Sequence, residues 1–182
     1  MDFRDEARFV DAIAPLVRQD FFKKRVLDAA CGLGRNSFWT VRWGAREVVA
    51  FDQDPVLLEH ANRLLKRFSN VTVVQGDLYE KEWDRSFQVV FAIDVLEHLP
   101  DAAAAIESLA KPLSPHGIFL IRVPQRERRG ILGLLLGMFR LSDKRYFTEE
   151  DARALFPEET FAEVHTFPSN KNRRWTVIGL KK

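Results

Sequence analysis

One cysteine in 182 residues rules out a disulfide scaffold, because Cys31 has no second thiol in the chain to pair with. The four histidines, His60, His98, His116 and His165, lie outside any CxxC or HExxH spacing, which excludes a zinc finger. The longest apolar run, Ile131 to Phe139, falls far short of the roughly 20 residues that a membrane span requires. The opening residues, MDFRDEARFVDAIAPLV, mix acids and arginines from the second position and lack the apolar centre of a signal peptide. With a lone cysteine, these absences lead to the expectation of a cytoplasmic protein. No period repeats and no segment is low in complexity, so a single domain is expected. At this length one core buries roughly 70% of the unfolded surface and needs no metal or disulfide staple.

What is present is an ordinary globular balance, 46% hydrophobic and 30% charged, with a net charge of +2 that is unevenly spread. Arg122 to Tyr146 carries seven Lys/Arg against two Asp/Glu, and Asn170 to Lys182 carries five against none, so the remainder is acidic. That asymmetry allows an anionic partner near the C-terminal third, beside the plainer reading of a solvated basic face.

Short runs rich in Val, Ile and Phe read as buried strands: 25–29, 47–51, 71–74, 87–92 and 118–123, with two more near 161–167 and 175–180. Between them, 36–43, 55–68 and 101–110 have helical spacing, and residues 3–20 form an amphipathic opening helix that Pro15 breaks or kinks. Thr148 followed by Glu149, Glu150 and Asp151 opens a later helix. Strand and helix alternate, which calls for an α/β fold with a parallel sheet covered on both faces. The domain divides into an N-terminal helix (1–24), a core (25–123), a basic and apolar insertion (124–147) and a C-terminal helix and hairpin (148–182).

The strongest chemical signal is VLDAACGLGRNSF at 26–38, an apolar strand that ends at Asp28 in a tight turn of small residues and opens a helix. Gly32 and Gly34 allow close backbone approach to a bound molecule, and the helix N-terminus presents free N–H groups. Taken alone this also approximates a dinucleotide fingerprint with Ser37 in third place, so NAD stays open at this point. Downstream, the second strand ends in Asp52, an acid suited to paired ribose hydroxyls. The third leads into Gln75, Gly76 and Asp77, and the fourth runs into IDVLEHLPD. Small or acidic residues therefore recur at the strand ends where doubly wound folds bind ligands.

From about Arg25 to the C-terminus the sequence resembles the class I methyltransferases that use S-adenosylmethionine. LDAACGLG is similar to their first motif with Ala30 in place of the usual first glycine, a substitution that requires Ala30 to adopt that position's φ. FAIDVLEHLPD resembles the fourth-strand motif of enzymes acting on small molecules and lipid-like quinones. LSPHGIFLIRVP resembles the fifth strand, and WTVIGL a hairpin strand at the sheet edge. The resemblance implies a Rossmann-like, doubly wound, mostly parallel seven-stranded sheet with a C-terminal antiparallel hairpin and helices on both faces. It implies S-adenosyl-L-methionine as cofactor and S-adenosyl-L-homocysteine as product. Asp28, Ala30, Gly32 and Gly34 would hold the methionine part, Asp52 the ribose with Gln53 beside it, and Asp77 and Leu78 the adenine, with Gly76 and Ile93 as further cofactor-binding residues.

On the acceptor side, His98 follows the fourth strand and is the candidate general base, against a plainer role in lining the pocket or capping a helix. Asp94, Glu97 and His98 form a DxxEH pattern resembling the ExxEH of some metal-dependent members; because DVLEH also occurs in metal-free relatives, no metal is expected. The fourth strand lacks an NPPY-type tetrapeptide, and no aromatic cluster interleaves with the basic C-terminal third, which disfavours nucleic acid. The insertion 126–147 suits a lid over an apolar acceptor or a helix lying at a membrane surface, against a plain core helix. The function expected is methyl transfer to a small or lipid-like acceptor. An RNA-modifying methyltransferase and a catalytically silent cofactor-binding subunit are the alternatives. The residues fix no oligomeric state.

Overall fold

The Val-, Ile- and Phe-rich runs become strands because branched and aromatic side chains pack well on a pleated surface, one that is buried on both sides along the central strands. A computed structural model describes residues 3–79, 83, 86–126, 145–169 and 173–182. Its strands are β1 (Arg25–Ala29), β2 (Glu47–Asp52), β3 (Val71–Gln75), β4 (Phe87–Ile93), β5 (Leu113–Pro124), β6 (Phe161–Ser169) and β7 (Arg174–Lys181). They form one sheet in the order β3-β2-β1-β4-β5-β7-β6. β1 to β5 pair in parallel, and β7 runs antiparallel to both β5 and β6.

The expected antiparallel hairpin is present at the sheet edge, and the order sharpens it: β7 is inserted between β5 and β6, and β6 is outermost. The burial of each strand gives the reason. Thr176, Val177 and Ile178 of β7 are buried, as an interior strand requires, whereas β6 exposes Glu163 and His165, as an edge strand tolerates. One difference is the start of β5: Leu113 already pairs with Phe87, and the register shifts before Ile118 meets Val89.

The helices are α1 (Phe3–Ile13), α2 (Arg18–Phe21), α3 (Arg35–Arg42), α4 (Pro55–Leu65), α5 (Ala102–Ala110) and α6 (Glu149–Arg153), with a 3₁₀ turn at Leu96–His98. α1 stops before Pro15, as its fixed φ and missing N–H dictate. Asp54 caps α4 by accepting from the Val56 and Leu57 N–H groups, with Pro55 in the first turn. Asp101 caps α5 through Ala104, and Thr148 and Asp151 form a reciprocal capping box on α6. Such caps contribute about 1 kcal/mol each.

α1 to α4 cover one face of the sheet, where Phe9, Phe21, Phe38, Leu58 and Phe91 share a core. α5 and α6 cover the other, around Leu27, Ile106, Phe119, Phe147 and Phe156. Fully burying one such side chain stabilises by about 1.5–3 kcal/mol relative to exposure. Among the described residues no helix is long and apolar enough to cross a membrane.

Candidate functional site

The chain leaves β1 at Ala29 and turns through three residues with positive φ: Ala30 (59°), Gly32 (52°) and Gly34 (76°). For Ala30 this left-handed conformation costs roughly 1–2 kcal/mol. The two glycines serve different purposes. A Cβ on Gly34 would sit 2.9 Å from Leu65 and 3.1 Å from Ala61, so this glycine lets α3 pack against α4. A Cβ on Gly32 would meet nothing within 4 Å, so the backbone there faces open space.

Asp52, at the end of β2, holds this turn. Gly32 N–H donates to its Oδ2 at 2.8 Å and Asp54 N–H to its Oδ1 at 3.0 Å. Each carboxylate oxygen keeps a further lone pair for a ligand. Gly76 N–H reaches the Asp52 carbonyl at 3.1 Å, tying the ends of β2 and β3 together. Asp77 accepts the Tyr79 N–H at 2.8 Å, Gln53 is exposed, and Leu78 is buried in the core.

Asp28 is placed beneath the turn. It is 1% exposed and accepts a hydrogen bond from the Ser37 hydroxyl of α3. Burial pushes its carboxyl up to about 7, against the lowering effect of Ser37. Burial likewise pushes the Cys31 thiol up, so it is a poor nucleophile at neutral pH.

Beside the turn opens a cavity of about 570 Å³, bounded by α1, the β1–α3 turn and the C-terminal ends of β4 and β5. Ala30 and Ile93 line it, together with Phe9 and Trp39. Asp52, Gln53, Asp77 and Leu78 stand at the neighbouring strand ends, outside its lining. The roof is α1, whose Phe9 rests edge-on against Trp43. Two ion pairs cross the cavity wall. Arg122 of β5, 6% exposed, donates to Asp11 of α1 at 2.8 Å, and Arg174 of β7 donates to Asp94 at 3.0 Å. Asp11, Arg122 and Arg174 belong to no motif in the sequence. Arg122 alone stands out, a charge inside an otherwise apolar strand.

His98 is exposed and does not line the cavity, whereas its neighbour Glu97 is buried. Neither Glu97 carboxyl oxygen has a hydrogen-bond partner among the described residues, and burial raises its pKa. Among the described residues no three His, Cys, Asp or Glu side chains are grouped to hold a metal ion. The insertion expected as a lid falls largely outside the described residues. Its flanks are joined, with Arg126 N–H donating to the Phe147 carbonyl and Phe147 N–H to that of Pro124.

Comparisons with known proteins agree on this architecture. A family model described as a methyltransferase domain matches residues 26–117. A ubiquinone biosynthesis O-methyltransferase from Neisseria meningitidis serogroup A is 33% identical over 123 residues, which is 64% of this chain and 51% of that protein. A sterol 24-C-methyltransferase from Aspergillus fumigatus is 29% identical over 99 residues, 52% of this chain and 26% of that one. The chain thus spans about half the length of the first relative and about a quarter of the second. Magnesium protoporphyrin IX methyltransferase from Synechocystis PCC 6803, solved with bound S-adenosylhomocysteine, shares the fold with a TM-score of 0.75. That match covers 98% of this chain and 82% of that one at 18% identity.

Proposed function

Because the chain belongs to the class I S-adenosylmethionine-dependent methyltransferase family, we propose that it transfers a methyl group from that cofactor to a small or lipid-like acceptor by in-line displacement. The observation that carries this reading is the open backbone at Gly32, fixed by Asp52 and bordered by a cavity toward β4 and β5. The space above Gly32 and the free lone pairs of Asp52 fit a nucleoside with an extended tail. When bound, the cofactor would supply a sulfonium methyl whose carbon the acceptor's lone pair attacks, the carbon–sulfur bond breaking and the neutral thioether leaving.

The chain's own residues would bind and orient. Asp52 takes the ribose hydroxyls with Gln53 beside it, and Asp77 and the Leu78 N–H take the adenine edge, next to Gly76. Ala30, Gly32 and Ile93 border the methionine part, while Asp28 and Gly34 shape the turn from below. Alignment of nucleophile, methyl and leaving sulfur supplies most of the acceleration such a reaction needs. His98, exposed and away from the cavity, has no geometric support as a base. The lipid-like acceptor rests on the ubiquinone and sterol enzymes among the relatives, and on the apolar walls that Phe9 and Trp39 give the cavity.

Calorimetric titration with S-adenosylmethionine, S-adenosylhomocysteine and NAD tests the reading. The first two should bind and NAD should not. Asp52→Ala should weaken S-adenosylhomocysteine more than tenfold, the loss of charge-assisted hydrogen bonds worth about 1.5–3 kcal/mol. No heat with either sulfur ligand, or unchanged affinity in the variant, overturns it.

A further inference from the structure

Arg122 and Arg174 are brought side by side by the strand register. Pro124 of β5 stands opposite Arg174 of β7, and Arg122 lies two residues before Pro124 on the same strand. Side chains two apart share a face, so the two arginines are diagonal neighbours on the face covered by α1. Both line the cavity.

Each guanidinium is only partly satisfied. Arg174 gives its Nε to Asp94, and Arg122 gives one Nη to Asp11 while its own buried Nε has no partner among the described residues. A guanidinium carries five N–H donors in a planar fork that matches the two oxygens of a carboxylate. The lining as a whole holds four arginines, Arg8, Arg35, Arg122 and Arg174, against three aspartates, Asp5, Asp11 and Asp94. That leaves one excess positive charge, which a bound sulfonium would raise. Phe9, Trp39 and Ile93 give the same cavity apolar surface, Ile93 as the neighbour of Arg122 across the β4–β5 register.

We propose that the acceptor is an amphipathic carboxylic acid, its carboxylate held by Arg174 and Arg122 and its apolar body against Phe9, Trp39 and Ile93. This deepens the methyl-transfer reading and rests on it. The carboxylate is a handle that orients the acceptor from the β5 and β7 ends, while the cofactor enters from the β1 to β3 ends. A pair of arginines at a cavity wall, Arg122 buried and Arg174 half-buried, suits a single compact anion rather than a polyanion lying across a surface.

Octanoate and its uncharged amide, octanamide, are the probes, titrated into the full chain with and without saturating S-adenosylhomocysteine. Octanoate should bind at least about tenfold more tightly than octanamide. Arg174→Gln should erase that preference and leave octanamide and S-adenosylhomocysteine unchanged. Arg174→Lys, which keeps the charge and loses the fork, should restore part of it. Equal binding of acid and amide, no binding of octanoate, or a preference that survives Arg174→Gln overturns the proposal. So does a loss of S-adenosylhomocysteine affinity in Arg174→Gln with 5′-deoxy-5′-methylthioadenosine unaffected, which assigns the arginine to the cofactor's own carboxylate. Failure of wild-type protein to bind S-adenosylhomocysteine at all strikes instead at the methyl-transfer reading.

Discussion

The β1–β3 side of the sheet and the β4, β5, β7 side meet at one cavity but are built by different means. On the first side the polar groups are satisfied by nearby chain: Asp52 by Asp54 two residues on and by Gly32 twenty residues back, Asp77 by Tyr79. On the second side the pairs are remote, 111 residues apart for Asp11 and Arg122 and 80 for Asp94 and Arg174. Local bonds form wherever the turn forms, at small cost in chain entropy. Remote ones exist only once the whole sheet is assembled. The bonds at the β1–β3 ends are therefore legible from short motifs, while those at the β4, β5 and β7 ends depend on the assembled sheet.

The largest expected effect tests whether the first side depends on its buried support. Asp28 has its pKa raised to about 7 by burial, so the folded protein holds this proton more tightly than the unfolded chain. Its contribution is full below about pH 4 and is lost as pH rises toward 7, on the order of 4 kcal/mol when complete. Asp28→Asn should flatten that part of the profile, measured as the difference between wild-type and variant urea unfolding from pH 4 to 8. A difference that does not change with pH would show that the carboxyl ionises freely under the turn.

Next, the two glycines separate packing from ligand approach. Gly34→Val should cost about 3 kcal/mol, since a branched side chain meets Leu65 and Ala61 in a left-handed backbone. Gly32→Val carries the backbone strain alone, about 1–2 kcal/mol, but should abolish S-adenosylhomocysteine binding in a folded protein. Thermal unfolding and calorimetry on the pair read both effects. Reversed results would mean that Gly34, and not Gly32, faces the ligand.

The smallest effect probes the second side. Asp11→Asn leaves the buried Arg122 without its counter-charge and should cost about 2 kcal/mol, less than a fully enclosed pair because Asp11 is 24% exposed. Moderate salt should not reproduce the loss in wild-type protein, because a shielded pair is weakly screened. If salt alone removes the same stability, the bridge behaves as a surface contact and the contrast between the two sides weakens.

Much of the fold, and part of the candidate site, is legible in the sequence. Apolar runs of strand length, helical spacing, Pro15 as a break and the cap at Thr148 are settled within a few residues, by sterics and short hydrogen bonds. The acids and glycines at the ends of β1 to β3 carry their meaning in their order along the chain. Tertiary structure alone decided that β7 enters between β5 and β6, that Gly34 faces α4 while Gly32 faces space, and that Glu97 is buried where His98 is exposed. It also decided that Arg122 finds Asp11 and stands beside Arg174. The physical reason is separation: which partner a side chain meets across 80 or 111 residues depends on strand order and register, and these follow from burying the whole sheet at once rather than from any local preference.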